Sequence, residues 1–146
     1  LCALLLLPAS SSGAEAAVYN VKPDVALVLE GTTANDMPKA EGHQHVTKVG
    51  GGPAISFMDG ATIVKRQMFE ALKRTAEEEG IPYQLKQAVA GGNDSGIIHK
   101  SGFGVRAAAI SAPCRYIHSQ SNMLKKSDIT ACYELARALS EKLADA

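Results

Sequence analysis

The run Val25-Ala-Leu-Val-Leu29 constrains the fold most. It is an unbroken apolar stretch that stops abruptly at Glu30-Gly-Thr-Thr33. A strand with one wet face alternates polar and apolar residues. A strand without alternation is buried on both faces, as in the centre of an α/β sheet with helices above and below. Glu30 then leaves the sheet at a strand end, which is where α/β proteins assemble their sites. Another strand is expected from Val105 to Ser111, stopped by Pro113, which cannot donate to a ladder, with His118 following in irregular chain. Glu30 and His118 both carry side chains able to bind a divalent cation.

The intervening sequence fills in an α/β pattern. Gly31 to Gly52 is polar, contains Pro38, His43 and His45, and ends in Gly50-Gly-Gly52, so it predicts a long surface connection. Ala54 to Met58 reads as a short strand. Asp59 is placed to cap a helix from Ala61 to Glu79, with Val64, Met68, Ala71, Leu72 and Thr75 on one face. Gly80 and Pro82 end that helix, Tyr83 to Val89 alternates as a strand, and Gly91 to Gly96 predicts a turn or loop. The last helix starts near Ser127 or Asp128 and carries Ile129, Cys132, Ala136, Leu139 and Leu143 on one stripe. The expected fold class is therefore α/β, with helices packed on a central sheet.

The N-terminus has two readings. Leu1 to Leu7 is almost wholly apolar, and Pro8 to Ala16 is rich in small residues, as at a signal-peptide cleavage site. There is no starting Met and no basic segment, and the apolar run is too short to span a bilayer. The alternative is a buried strand cut off at its start.

Composition narrows the partners. The 15 basic and 15 acidic residues cancel, which gives no electrostatic case for nucleic acid or an anionic membrane. Cys2, Cys114 and Cys132 are odd in number and far apart, which suits reduced thiols in the cytoplasm.

Each chemical candidate has a bland counterpart. Glu30 is either a metal ligand or a carboxylate bonded to Thr32 or Thr33 in a turn. His118 is either a ligand, oriented by Tyr116 or Ser119, or an ordinary polar residue. Asp94 could orient a substrate amine or a metal ligand, or simply form a turn. His43-Gln-His45 would need strand geometry to grip a metal, and Glu77 to Glu79 reads as a solvated face. Gly50 to Gly52 and Gly91 to Gly96 lack the contexts of phosphate and dinucleotide loops. Cys114 lies beside Arg115, whose charge could lower a thiol pKa, with His118 the nearby base.

Four strings, Tyr19 to Pro38, Gly52 to Asp59, Gly91 to Gly96 and Cys114 to Ser119, occur in the order and at about the spacing of the tetrahedral aminopeptidases. The chain resembles this dinuclear metallopeptidase family, which includes glutamyl aminopeptidases and members labelled endoglucanases, over about residues 13 to 145. The resemblance implies the mixed-sheet catalytic domain of a zinc-dependent exopeptidase with a β-rich domain inserted. It also implies two zinc or cobalt ions, peptide substrates cut at their N-termini, and large cytosolic homo-oligomers. Carried over by motif, Glu30 is similar to a carboxylate ligand, where many members place Asp, and His118 to the terminal histidine ligand. Asp36 and Asp94 fall within matched strings as residues that would bind substrate or orient a ligand.

The family's upstream His-x-Asp, its bridging Asp and its Glu-Glu pair have no counterpart in residues 1–24. Residues 18–146 are therefore expected to be the C-terminal part of a catalytic domain, inactive alone and with no catalytic residue of its own. Residues 1–17 are expected to be a diverged or truncated segment. The alternative is a non-catalytic homologue that keeps a residual metal site and serves in binding or assembly.

Overall fold

The computed structural model describes residues 2–6, 11–38 and 40–144. Its strands are β1 (Cys2–Leu6), β2 (Val25–Thr33), β3 (Ala54–Ile55), β4 (Gln84–Leu85) and β5 (Arg106–Cys114), in one mixed sheet of order β1-β2-β5-β3-β4. The helices are α1 (Ser11–Val21), α2 (Arg66–Glu78), α3 (Ser95–Ile98) and α4 (Lys126–Ala144). β2 runs parallel to β1 and β5, while β3 is antiparallel to β5 and parallel to β4.

The position of β2 explains its unbroken apolar run. Strands flank it on both sides, and both of its faces are covered. Val25 and Leu27 join Met68 and Leu72 of α2 and Leu135 and Leu139 of α4 in one core. Ala26 and Val28 point the other way, to Ala14 and Val18 of α1 and Ile98 of α3. Leu27, Leu72 and Leu135 are fully buried, each stabilising the fold by about 2–3 kcal/mol through removal from water. The same alternation puts Glu30 on the α3 side of the sheet.

Several expected boundaries shift, each for a local reason. The helix expected from Ala61 starts at Arg66. Asp59 does accept two free N–H groups, from Ala61 at 2.7 Å and Thr62 at 2.8 Å, but the turn it closes is a hairpin in which Met58 and Ile63 form an antiparallel bridge. The strands expected over Ala54–Met58 and Tyr83–Val89 shrink to Ala54–Ile55 and Gln84–Leu85. The end of the expected Gly91–Gly96 turn is already helical, because α3 begins at Ser95.

Pro113 does not stop β5. The strand continues to Cys114 beside β2, and β3 pairs only with Ile110 and Ser111, so Pro113 has one sheet neighbour and its missing N–H is tolerated.

Asp128 does not cap its own helix either. It is buried inside the first turn of α4, where its carboxylate accepts the N–H groups of Gly50 at 2.7 Å and Gly52 at 3.1 Å. Turning Asp128 inward turns Ile129 out, and the buried stripe of α4 becomes Asp128, Ala131, Cys132, Leu135, Ala136, Ala138 and Leu139. The glycine run is thereby stitched to α4.

At the N-terminus Cys2–Leu6 is a strand paired along β2, in keeping with the strand reading. Leu1 and Leu7–Ser10, including the start of the supposed cleavage stretch, lie outside the described residues, and the remainder of that stretch is helical in α1. No helix among the described residues is long and apolar enough to cross a membrane.

Candidate metal and substrate cleft

A cleft of about 780 Å³ opens where β2 and β5 end beside the start of α3. Its walls include Glu30 from β2, Cys114 from β5, Asn93, Asp94 and Ile97 from the α3 entrance, and Ile117, His118, Asn122 and Leu124 from the loop after β5. Glu30, Asp94 and His118, singled out separately in the sequence, thus face one cavity.

Glu30 is half-buried, and Ser111 Oγ on the neighbouring strand donates to its Oε1 at 3.1 Å. Burial pushes its carboxyl up to about 7, against the lowering effects of the Ser111 hydrogen bond and Lys86, with nearby Asp59 and Asp94 adding to the rise. The bland expectation, a carboxylate tied to Thr32 or Thr33, is not what holds it. A half-buried acid with one hydrogen bond and no close cationic partner among the described residues is chemically suited to a divalent cation.

Asp94 is presented by a polar network that the sequence did not reveal. Asn93 Nδ2 donates to Asp59 Oδ2 at 2.7 Å, and Asn93 Oδ1 accepts from both the backbone N–H and the hydroxyl of Ser95. Ser95 Oγ also lies 3.0 Å from Thr62 Oγ1, and Asp59, Thr62 and Ser95 are all buried. A Cβ on Gly96 would come within 2.5 Å of the Ala61 side chain, so this close approach requires glycine. The available signal was Asn93-Asp-Ser95 directly after two glycines, a helix-start composition read as a turn.

His118 is exposed on the loop after β5, with a left-handed backbone at φ 66°. Asp36 lies away from the cleft walls and is gripped by Arg115, Nε to Oδ1 at 2.6 Å and Nη2 to Oδ2 at 2.9 Å. The Arg115 guanidinium beside it holds the Asp36 carboxyl below its ordinary range. Arg115 is therefore not activating Cys114. Burial pushes the Cys114 thiol up, the reverse of what a nucleophilic thiolate needs.

The remaining candidates lie outside the cleft walls. His43 sits 3.3 Å from Glu41 on an exposed turn. Glu78 and Glu79 reach Lys142 of α4 at 2.6 and 3.0 Å, and Glu77 accepts from the Tyr83 hydroxyl at 2.7 Å, so the acidic triplet latches α2 to its neighbours. Among the described residues no three His, Cys, Asp or Glu side chains stand close enough together to hold a metal ion. Glu30 and His118 thus suit a cation by donor chemistry but fall short of the four donors of a closed zinc site.

Residues 10–135 match the family described as M42 glutamyl aminopeptidase. The chain belongs to that family. A putative aminopeptidase of Acetivibrio thermocellus is 39% identical over 123 residues, which is 84% of this M42 chain and 37% of that relative. An aminopeptidase from the archaeon Desulfurococcus kamchatkensis superimposes with a TM-score of 0.85 at 36% identity, covering 88% of this chain and 37% of that one. A TET aminopeptidase from a marine sediment thaumarchaeon gives 0.85 at 35% identity, covering 90% and 36%. These neighbours confirm the α/β fold. The chain spans little more than a third of the length of the relatives it matches.

Proposed function

We propose that this chain forms one wall of a metal-dependent aminopeptidase site, in which Glu30 and His118 hold one divalent cation, zinc or cobalt, and Asp94 meets the amino group of a peptide. The observation that carries the reading is the convergence of these three side chains on one cleft at the strand ends. Such a cation, when bound, supplies Lewis-acid polarisation of the carbonyl under attack. The chain's own residues supply orientation. Ser111 fixes one oxygen of Glu30, the Asn93 network holds the Asp94 loop, and Val28, Ile97, Ile117 and Leu124 provide apolar walls that limit water.

On this reading residues 18–146 are the C-terminal part of a catalytic domain and carry no general base. The complete protein acts on peptides in the cytoplasm as a homo-oligomer. The chain's 37% share of its Acetivibrio relative supports the partial assignment. A second reading, a non-catalytic assembly module with a residual cation site, draws support from the lack, among the described residues, of any three His, Cys, Asp or Glu side chains placed to hold a metal ion together.

Calorimetric zinc titration of wild type, Glu30→Ala and His118→Ala tests the ligand assignment. Two protein donors predict weak binding, lowered about 10-fold or more by either substitution. Equal binding by all three proteins would overturn it. Aminoacyl-p-nitroanilides with added cobalt should show no turnover, and sustained release would refute the lack of a base and exclude the second reading.

A further inference from the structure

Beyond the last paired residues, Thr33 and Cys114, β2 and β5 stay laced together. Ala34 N–H donates to the Cys114 carbonyl at 2.9 Å, and the Tyr116 hydroxyl donates to Met37 Sδ at 3.5 Å. Between these lies the fork of Arg115 on Asp36, at 2.6 and 2.9 Å. The Asp36 side chain is only 7% exposed, and it also accepts the Val49 N–H at 3.0 Å. On its other side Arg115 exchanges backbone hydrogen bonds with Met123, at 2.9 and 3.1 Å.

These contacts close the base of a loop that contains His118. Within it two residues with full side chains, Tyr116 at φ 59° and His118 at φ 66°, occupy the left-handed region. Such residues relax to ordinary backbone unless their surroundings over-determine them. The Ser119 N–H donates to the Tyr116 carbonyl at 3.0 Å and the Ser119 hydroxyl to the Ser121 carbonyl at 2.8 Å within the loop, while the fork and the Met123 bridge hold its base, and neither Asp36 nor Arg115 lines the cleft.

We propose that the Asp36–Arg115 pair is a positioning device for His118, fixing the base of the 115–123 loop so that the strained backbone presents the imidazole to the cleft. The inference rests on the reading of His118 as a ligand. It requires the fork itself. Lysine keeps the charge but cannot make two parallel hydrogen bonds to one carboxylate.

The test compares cobalt affinity and the visible spectrum of the cobalt complex in wild type, His118→Ala, Arg115→Lys and Asp36→Asn, with the last two also combined with His118→Ala. Expected is a loss of about 10–100-fold in affinity for either clamp variant, and no further loss when a clamp variant is added to His118→Ala. A merely structural role would weaken binding in both backgrounds alike, and that result overturns the proposal. Wild-type affinity in the clamp variants, with weak binding in His118→Ala, overturns the positioning role and leaves the ligand reading standing. Wild-type affinity in His118→Ala removes the ligand reading and this inference with it. Amide hydrogen exchange without metal gives a second measure. Residues 116–122 should exchange faster in Arg115→Lys while α4 does not, and unchanged exchange overturns the proposal.

Discussion

Glu30→Gln separates the electrostatics of the cleft from its packing, because it removes the charge and keeps an oxygen to accept the Ser111 hydroxyl. A carboxyl raised from 4.5 to about 7 disfavours its charged form in the fold by about 3–4 kcal/mol at most. Residual hydration of the half-buried side chain reduces this to roughly 1–2 kcal/mol. The sign follows from which state holds the proton. The folded pKa is the higher one, so the stability associated with neutral Glu30 is fully present below about pH 4.5, declines as pH rises, and is lost above about pH 7. Urea unfolding with a chelator present should show the Gln variant ahead of wild type by about 1–2 kcal/mol near pH 8 and by less than ~1 kcal/mol near pH 5. Saturating zinc should narrow the gap at the higher pH by stabilising wild type more than the variant. A Gln variant that is no more stable than wild type near pH 8, or equally favoured at both pH values, refutes the burial argument.

Gly52→Ala should cost about 3 kcal/mol or more in chemical denaturation, because its φ is 81° and a Cβ would meet the Pro82 carbonyl oxygen at 2.2 Å. Gly80→Ala, also left-handed but with open space around it, should cost only about 1 kcal/mol in the same assay. Asp128→Ala leaves the N–H groups of Gly50 and Gly52 without their acceptor and should lower stability by about 2–3 kcal/mol, with fast amide exchange confined first to the glycine run.

What the sequence revealed and what it concealed divide along physical lines. β2 was legible because burial on both faces leaves a pattern that solvent exposure does not mimic. The position of Glu30 was legible for the same reason, since it is the first polar residue after the doubly buried run, although β2 continues past it to Thr33. Asp59 and Asp128 misled because a carboxylate ahead of or within an amphipathic run looks like a cap, whichever backbone it serves. Asp59 closes a hairpin, and Asp128 reaches N–H groups 78 and 76 residues away. The same locality hid the Asp59–Asn93 link, which spans 34 residues, and the Asp36–Arg115 fork, which spans 79. Pro113 misled because its effect depends on whether a neighbouring strand reaches it on each side, which the short length of β3 decides.

The central ladder of the sheet joins residues 81 apart, Glu30 to Ser111. Contacts this distant in sequence incur the entropy of a long loop before any of them forms, which makes their pairing intrinsically slow. During synthesis β2 must wait for β5 with the long edge from Val25 to Thr33 lacking this partner, and the two halves of the cleft acquire their mutual geometry only when that wait ends. Variants that disturb the β2–β5 ladder should therefore be scored by refolding rate as well as by equilibrium stability.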